Sequence, residues 1–333
     1  MTAYLIASGS ALPERVVSNE ELAPQLGLAP EQIFKSSGIK ERRWADHTTS
    51  TSQLAAAALD KAIDEAGITP ADVDYLIFGT MTPDRFVPGS GPAVQKSLGL
   101  REVPCLDIRA ACCNTLYGLQ VARALVTSNA AKNVAISLAE IQSTFLDLSP
   151  ASGTTSMLFG DGAAALIVSP VAQKNSLEIV DVMLATDGSY VDDLGIRCPG
   201  VQFGREQNAA NAADYLPRMK GQSVIIQASR KLVEGSQVVL QRNGLSASDV
   251  HWIVPHQANA NLLAQVVKQL RINQTDILVS ILENTGNTSS ASMGLALDHL
   301  RKSKRINPGD FLLLPAFGAG FMWGAALCRA VNG

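Results

Sequence analysis

An internal echo limits the folds that this chain can adopt. GITPADVDYLI, starting at Gly67, matches GLSASDVHWIV, starting at Gly244, an offset of 244 minus 67, or 177 positions. Gly, Asp and Val are identical in the two copies, and most other pairs are conservative. Each copy follows a helical stretch and leads from a strand into a loop, as expected of a duplicated supersecondary unit. We therefore predict two similar α/β halves, residues 1–170 and 171–333.

Hydrophobic periodicity predicts alternating helices and strands. Residues 51–66 repeat apolar side chains at helical spacing, with Ser50 or Thr51 as a cap and Gly67 as the stop. This alternation favours α/β layers with mostly parallel strand pairing. The segment 195–222, which contains several Gly, Pro and Asn residues, is predicted to be a long loop or lid. Short apolar runs predict buried strands at 73–80, 134–139, 163–169, 252–255, 277–282 and 311–317.

Composition excludes several classes of function. The 333 residues are 47% hydrophobic and 17% charged, which is typical of a globular protein, and the net charge of -3 argues against nucleic-acid binding. The N-terminal MTAYLIASGSALP predicts a first strand rather than a signal peptide, and no run is long enough for a membrane span. Five cysteines without a CxxC pair favour a reducing, cytoplasmic location. The four histidines lack metal-ligand spacing, so we expect no metal.

A pair of cysteines marks the first candidate for chemistry. In CLDIRAACCNTLYGLQVARAL, 105–125, a strand-like run meets Cys112 and Cys113 and then a helical pattern. Backbone N–H groups at a helix N-terminus stabilise a thiolate and can lower the pKa of a cysteine. The alternative is that either residue is a small, buried core side chain. The pattern alone does not separate the two cysteines.

Two later segments supply further candidates. In WIVPHQANANLL, 252–263, His256 follows the end of a strand and opens a polar loop. In ENTGNTSSASMGLAL, 283–297, Asn287 lies in a tight turn before a helix of small residues. Alone, His256 is equally consistent with a structural histidine, and Asn287 is more typical of a helix cap. Together with Cys112 they indicate a thiol-dependent active site.

The blocks DIRAAC, FGDGAAA, VPHQAN, GNTSSAS and AFGAGFMWGAAL resemble, in order and spacing, those of β-ketoacyl-ACP synthase III enzymes of the thiolase superfamily. The resemblance covers essentially the whole chain. It implies a thiolase-like five-layered αβαβα fold with two duplicated halves, and a homodimer that pairs through a continued central sheet. It implies no cofactor; the substrates are acyl-CoA or acyl-carrier-protein thioesters, and acyl carrier protein is a partner.

The resemblance also implies roles for individual residues. Cys112 would be the nucleophile, because the family's cysteine follows Ala-Ala directly, which leaves Cys113 in the core. The backbone N–H groups of Cys112 and Ala319 would form the oxyanion hole. His256 and Asn287 would stabilise the enolate that forms when a malonyl thioester loses carbon dioxide. The product is a 3-oxoacyl thioester.

Several positions depart from the family pattern. Gln32, Ser36 and Gly153 stand where housekeeping members hold the adenine of CoA with a tryptophan and two arginines, so we expect weak priming by acetyl-CoA. Val87 replaces a phenylalanine that limits the acyl pocket, which favours a larger primer. These four are the predicted substrate-binding residues. DIRA followed by LYGLQVAR is closer to condensing enzymes of secondary metabolism, such as those of quinolone pathways, than to the fatty-acid initiator.

Carrier-protein docking is also predicted to differ. Ile226 and Asn261 stand at family Lys and Arg positions, whereas Lys268 is retained. In place of the missing charges at 226 and 261, the candidates for docking are Lys220, Arg230 and Lys231.

Three other functions remain open at this point. A biosynthetic or degradative thiolase needs a second catalytic cysteine in a Gly-rich C-terminal loop, but residues 317–320 are Phe-Gly-Ala-Gly. An acyltransferase that moves an acyl group to a hydroxyl or amine needs Cys112 and His256 but not Asn287. A non-catalytic protein would have no reason to keep all three in register.

Overall fold

A computed structural model describes residues 1–201, 214–272, 274 and 276–332 of the chain. Within these residues, strands of the main sheet alternate with helices along most of the sequence, and two short strand pairs lie outside it. The strands are β1 (Tyr4–Ala11), β2 (Val16–Ser18), β3 (Glu41–Arg43), β4 (Tyr75–Gly79), β5 (Cys105–Ile108), β6 (Val134–Glu140), β7 (Gly162–Ser169), β8 (Leu177–Thr186), β9 (Leu194–Gly195), β10 (Arg218–Met219), β11 (Val250–Ile253), β12 (Phe311–Gly318) and β13 (Met322–Ala330). The helices are α1 (Asn19–Leu26), α2 (Pro30–Ser37), α3 (Thr51–Ala66), α4 (Gly91–Leu98), α5 (Asn114–Thr127), α6 (Gly153–Ser156), α7 (Gly221–Arg242), α8 (Ala260–Gln269), α9 (Leu282–Thr285) and α10 (Ser292–Lys302).

The main sheet has the strand order β11-β12-β13-β8-β1-β7-β6-β4-β5. β1 and β8 meet only at Tyr4 with Glu178 and at Leu5 with Leu177, so the sheet divides there into an N-terminal and a C-terminal part. The predicted division between residues 170 and 171 lies in the segment that connects β7 to β8; as a domain boundary it stays a prediction.

The prediction of mostly parallel pairing is wrong. β4 pairs in parallel with β5 and β6, and β11 pairs in parallel with β12. The other pairs of the main sheet are antiparallel. The reason is that β12 and β13 are joined by a tight connection, and the two central strands β1 and β8 are antiparallel to both of their neighbours. Parallel strands need a longer crossover connection.

Helices and sheet parts alternate as five layers. α5 and α10 lie between the two sheet parts, where Leu116, Leu119, Ala296 and Leu300 are fully buried in one core with residues of both parts. α3 covers the outer face of the N-terminal part, and α7 and α8 cover the outer face of the C-terminal part. Because sheets pack on both sides of this layer, α5 and α10 bury small and apolar side chains on more than one face.

The two similar sequence segments also have similar structures. α3 is capped by Gly67 with φ 64°, and the segment after α7 turns at Gly244 with φ 68°. A one-turn 3-10 helix follows in each half and leads into β4 or β11. The identical aspartates explain the match: the Asp72 carboxylate accepts from the Thr69 N–H at 2.8 Å, and the Asp249 carboxylate accepts from the Ser246 N–H at 2.8 Å.

Most predicted elements are confirmed, with their ends shifted by a few residues. Helix α3 matches its prediction at both ends, because Ser50 and Gln53 form a capping box at its start. The first strand and the strands predicted at 73–80, 134–139, 163–169, 252–255 and 311–317 are present as β1, β4, β6, β7, β11 and β12.

The strand predicted at 277–282 is wrong. Leu278 forms one isolated bridge with Ile253, and α9 begins at Leu282. The physical reason is the buried side-chain amide of Gln257, which donates to the Val279 carbonyl at 3.1 Å and accepts from the Ile281 N–H at 3.0 Å. A side chain thus takes the backbone groups that a neighbouring strand would use.

The prediction of one long loop at 195–222 is wrong at both ends. β9 and β10 pair across it, and α7 already begins at Gly221. Residues 202–213, the middle of that prediction, lie outside the described residues.

Candidate active site

Cys112 lies at the junction that its sequence predicted. β5 ends at Ile108, a 3-10 turn covers Ala111–Cys113, and α5 follows directly. Ala111 has φ 47°, a left-handed conformation that non-glycine residues rarely adopt and that turns the chain sharply before the thiol. The end of β12 presses against this turn, since a Cβ on Gly318 would lie 2.9 Å from the Cys112 backbone nitrogen. The thiol is therefore held between two backbone segments.

The environment of Cys112 favours the neutral thiol. Burial raises the pKa of Cys112 to about 12, the Ser289 hydroxyl opposes that rise, and the Glu140 carboxylate adds to it. Ser289 Oγ lies 3.7 Å from Cys112 Sγ. The lowering expected from the start of α5 is outweighed in this environment.

His256 is buried in the loop between β11 and α8, and its N–H donates to the Pro315 carbonyl at 3.0 Å. Its Nδ1 lies 2.6 Å from Ser292 Oγ, which also accepts from the Gln257 N–H at 3.2 Å. We therefore assign the Ser292 proton to the bond with Nδ1, which leaves Nε2 as the N–H of the ring. Burial lowers the pKa of His256 to about 4, so the ring is neutral near pH 7 and offers one donor.

Asn287 is held by its own backbone and by one side-chain oxygen. Its N–H donates to the Leu158 carbonyl at 2.8 Å, and its carbonyl accepts from the Gly160 N–H at 3.1 Å. Asn287 Oδ1 accepts from the Ser289 N–H at 2.8 Å. Because Oδ1 is occupied in this way, the amide nitrogen Nδ2 is the group that can donate to a substrate.

A single turn, residues 287–292, gathers the three predicted catalytic residues. Asn287 opens the turn, Ser289 meets Cys112, and Ser292 meets His256. Gly318 approaches the Cys112 backbone, and Ala319, the predicted oxyanion-hole partner, is the next residue along the chain. The structure therefore brings these side chains together; their catalytic roles are taken up below.

The predicted substrate-binding residues lie on other elements than this turn. Ser36 donates its hydroxyl to the Gln32 carbonyl at 2.8 Å within α2, and Gly153 begins α6, where an added Cβ would lie 2.7 Å from the Leu26 carbonyl oxygen. Val87 is 75% exposed on the loop before α4.

The positions predicted for carrier docking have mixed environments. Asn261 donates to the Lys35 and Ser36 carbonyls at 3.1 Å, so it ties α8 to the end of α2. Lys231 lies 4.0 Å above the Trp323 ring and pairs with Glu234 at 2.9 Å; its role in docking stays a prediction.

Other positive charges near α7 differ in their partners. Lys220 pairs with Asp193 at 2.6 Å, and Arg230 donates to the Gln227 side chain at 2.8 Å. Arg230 and the 57% exposed Ile226 line a cleft of about 520 Å³ between α7 and α8.

Sequence reasoning missed Ser289, Ser292 and Glu140. The two serines stand in a run of small residues that resembles a helix cap, and nothing in the pattern shows which hydroxyl faces which neighbour. Glu140 offered a signal, because it ends a strand in which every other residue but one serine is apolar. Charged side chains are rarely buried in a strand unless they have partners there, so Glu140 could have been identified as a candidate from the sequence.

In the described part of the chain, no group of three His, Cys, Asp or Glu side chains is arranged to hold a metal ion. None of the helices there is long and apolar enough to cross a membrane. The predictions of no metal and no cofactor remain predictions.

Comparison with known proteins identifies the family of this fold. The family model described as 3-oxoacyl-[acyl-carrier-protein (ACP)] synthase III matches residues 106–188, and the model of its C terminal matches residues 240–330. The β-ketoacyl-[acyl-carrier-protein] synthase III of Chlamydia caviae is 37% identical over 331 residues, which cover 99% of this chain and 98% of the relative.

Solved structures agree with these matches. The 3-oxoacyl-[acyl-carrier-protein] synthase III of Aquifex aeolicus has a TM-score of 0.89 at 32% identity and covers 98% of this chain and 99% of its own. The priming β-ketosynthase of the R1128 polyketide biosynthetic pathway has a TM-score of 0.89 at 30% identity, covering 99% and 96%.

The fold is the thiolase-like five-layered αβαβα fold with two duplicated halves, the fold of condensing enzymes. Within that class, the chain belongs to the 3-oxoacyl-[acyl-carrier-protein] synthase III family.

Proposed function

We propose that this chain is a condensing transferase that extends an acyl thioester by two carbons through Cys112, His256 and Asn287. The observation that carries the proposal is the turn 287–292, which sets a hydroxyl against the thiol, fixes the tautomer of the histidine and leaves the asparagine amide free to donate. Donors held in place before the reaction stabilise developing charge at little cost in reorganisation.

The first half-reaction acylates the enzyme. Cys112 Sγ attacks the carbonyl carbon of an acyl thioester, and the charge on the carbonyl oxygen is stabilised by the backbone N–H groups of Cys112 and Ala319. The bond from carbon to the leaving sulfur breaks, and the thiol proton leaves with that sulfur as free CoA or carrier thiol. The new bond joins Cys112 Sγ to the acyl carbon, so that one carbon–sulfur bond forms as the other breaks.

The second half-reaction forms the carbon–carbon bond. A malonyl thioester loses carbon dioxide, and the electron pair of the broken bond becomes an enolate whose oxygen accepts hydrogen bonds from His256 Nε2 and Asn287 Nδ2. The enolate carbon attacks the acyl carbonyl on Cys112, and the carbon–sulfur bond breaks. The Cys112 thiolate takes up a proton from solvent, and the 3-oxoacyl thioester is released. A neutral imidazole suits this role, since Nε2 donates a hydrogen bond to the enolate oxygen while Nδ1 accepts from Ser292.

The alternative is an acyltransferase that passes the acyl group to a hydroxyl or amine. Such an enzyme needs no second donor at the enolate position. The anchored Oδ1 of Asn287, which leaves Nδ2 as the donor of this side chain, favours condensation.

The primer is proposed to be larger than acetyl and to arrive without tight CoA binding. Gln32, Ser36 and Gly153 offer neither an aromatic ring nor a guanidinium for adenine, and Val87 is smaller than the family's phenylalanine. We place acyl carrier protein at the cleft beside α7, where Arg230 and Ile226 are exposed at its rim. We also place the reaction in the cytoplasm and in secondary metabolism.

A homodimer is proposed through the β5 edge of the main sheet. β5 pairs with β4 on one side only, and its Leu106 is 36% exposed. Asp107 of β5 accepts from the Ser90 and Gly91 N–H groups at 2.6 and 3.0 Å, which ties the loop of the exposed Val87 to the same edge. Pairing of two β5 strands would satisfy the open backbone groups and cover that loop.

Intact-mass measurement tests the function. The protein is incubated with panels of acyl-CoA and acyl-carrier-protein thioesters, and then with malonyl carrier protein. The expected result is an acyl adduct on the wild type and on Cys113→Ala, and none on Cys112→Ala. Carbon dioxide release with a carbon–carbon-bonded product means condensation. Transfer of the acyl group to a small acceptor without carbon dioxide would overturn the proposal in favour of the acyltransferase.

A further inference from the structure

Arg42 is a buried guanidinium that the reaction above does not use. It is the middle residue of β3 and is fully buried. Its side chain donates to three uncharged oxygens: Nη1 to the Val17 carbonyl at 3.2 Å and to Asn19 Oδ1 at 2.8 Å, and Nη2 to the Met157 carbonyl at 2.9 Å. Nε is also buried and has no hydrogen-bond partner among the described residues. Taking a guanidinium out of water is costly, so its place in β3 depends on these bonds.

The guanidinium of Arg42 stays charged near neutral pH. Burial lowers the pKa of Arg42 to about 10, and the nearby Glu20 and Glu41 carboxylates act against that lowering. Hydrogen bonds from a charged donor are roughly twice as strong as bonds between neutral groups. The bond from Arg42 to the Met157 carbonyl is therefore a strong link between β3 and the segment that follows α6.

The Met157 carbonyl lies directly before the segment that holds the backbone of Asn287. The Leu158 carbonyl accepts from the Asn287 N–H at 2.8 Å, and the Gly160 N–H donates to the Asn287 carbonyl at 3.1 Å. Both backbone groups of Asn287 are thus bonded to this segment. Because Nη2 of Arg42 fixes the residue before Leu158, the position of Asn287 depends on the position of the guanidinium.

The aliphatic stem of Arg42 packs against the same place. A Cβ added to Gly160 would lie 3.1 Å from Arg42 Cβ, and one added to Gly286, the residue before Asn287, would lie 3.0 Å from it. The stem therefore lies against the backbone on both sides of the bonds that hold Asn287. A close-packed contact of this kind transmits a displacement instead of absorbing it.

We propose that Arg42 is a positioning residue for the second half-reaction, which holds the backbone of Asn287 through the Met157 carbonyl so that the Asn287 amide meets the enolate oxygen. The proposal rests on the proposed function, because that function assigns the amide to the enolate. Cys112 is held by other segments, the turn before α5 and the end of β12, so its reactivity should not depend on Arg42.

The experiment measures two rates in each variant: carbon dioxide release from malonyl-pantetheine, and alkylation of Cys112 by iodoacetamide, read by peptide mapping. Arg42→Met keeps an unbranched stem but loses the donors. We expect its carbon dioxide release to be about tenfold slower, the loss that a displacement of about half an ångström predicts, with alkylation at the wild-type rate. Arg42→Lys should fall between Arg42→Met and the wild type, because one ammonium keeps the charge but lacks the fork of donors. A merely structural role would lower both rates together.

Asn19→Ala is the matched control. It removes a buried acceptor of the same guanidinium but leaves the bond to the Met157 carbonyl, so it should lower stability and keep the wild-type release of carbon dioxide. Asn287→Ala tests the route of the effect. It retains the His256 donor, which leaves a residual rate to measure. Adding Arg42→Met to it should cause no further loss, because Arg42 acts through Asn287.

The wild-type rate of carbon dioxide release in Arg42→Met or in Arg42→Lys would overturn the proposal. So would an equal loss of both rates, the same loss in Asn19→Ala, or a further loss in the double variant. Thermal unfolding identifies a variant that fails to fold, and if this is Arg42→Met, Arg42→Lys takes its place throughout. A wild type that releases no carbon dioxide, or an Asn287→Ala variant at the wild-type rate, would reject the proposed function and this proposal with it. A loss in Asn287→Ala without one in the Arg42 variants rejects this proposal alone.

Discussion

Replacing Gly318 by alanine should slow acylation of Cys112 without unfolding the protein. The added Cβ would lie 2.9 Å from the Cys112 backbone nitrogen and 3.2 Å from its Cβ, closer than non-bonded carbon normally approaches. Relief requires a shift of about 0.5 Å at the end of β12 or at the nucleophile turn, against a normal contact of about 3.5 Å. Misplacement by 1 Å can cost about 10²-fold in rate, so a shift of about half that size predicts about a tenfold loss.

The same change should cost about 1–3 kcal/mol in the free energy of unfolding, as expected of an overpacked core site. Acylation is followed by intact mass at short reaction times, and unfolding by denaturant titration. Gly221→Ala is the matched control: it begins α7, has open space around the added Cβ, and should change neither quantity adversely. A Gly318→Ala variant that acylates at the wild-type rate would show that β12 does not hold Cys112 in place.

Three further predictions concern the catalytic turn, the histidine and the dimer. Asn287→Asp keeps the Oδ1 bond to Ser289 but loses the Nδ2 donor, so carbon dioxide release should fall about 10²–10³-fold while acylation falls much less; equal losses would refute the assignment. His256→Gln should remove an acid-dependent loss of stability. Because burial lowers the pKa of folded His256 from 6.5 to about 4, the unfolded chain binds the extra proton, and the wild type loses about 3 kcal/mol as pH falls from 6.5 to 4; denaturant titrations of wild type and variant at the two pH values should therefore differ by that amount. Leu106→Lys places a charge on the β5 edge and should shift sedimentation from dimer to monomer; an unchanged dimer would place the interface elsewhere.

The elements that the sequence predicted best are those with local determinants. α3 is specified by its capping box and by Gly67, and the echoed turns by Asp72 and Asp249. What failed depended on long-range contacts. Gln257 takes the backbone groups of the strand expected at 277–282, and strand direction follows from connections across the sheet rather than from hydrophobic runs.

The candidate site shows the same contrast between local motifs, which the sequence predicted, and long-range packing, which it did not. Cys112, His256 and Asn287 were identified through their motifs, and the structure brings them to one turn. The environment of Cys112 was not foreseen. A helix N-terminus favours a thiolate, but burial outweighs that effect, and burial is set by packing from both halves.

Duplication explains why one turn can serve three distant segments. Ala111 and Ser289 are 289 minus 111, or 178, positions apart, close to the offset of the echo, and both have φ 47°. Each precedes a helix of the central layer, α5 or α10, so the two left-handed turns face each other where the halves meet.

Only one half carries a thiol after its turn. At the offset of 178, Ser290 corresponds to Cys112. One half thus supplies the nucleophile, and the other supplies the Ser289 hydroxyl that faces it. A substitution in one turn should therefore alter the effect of a substitution in the other. We expect the effects of Ala111 and Ser289 variants on the alkylation rate of Cys112 to be non-additive.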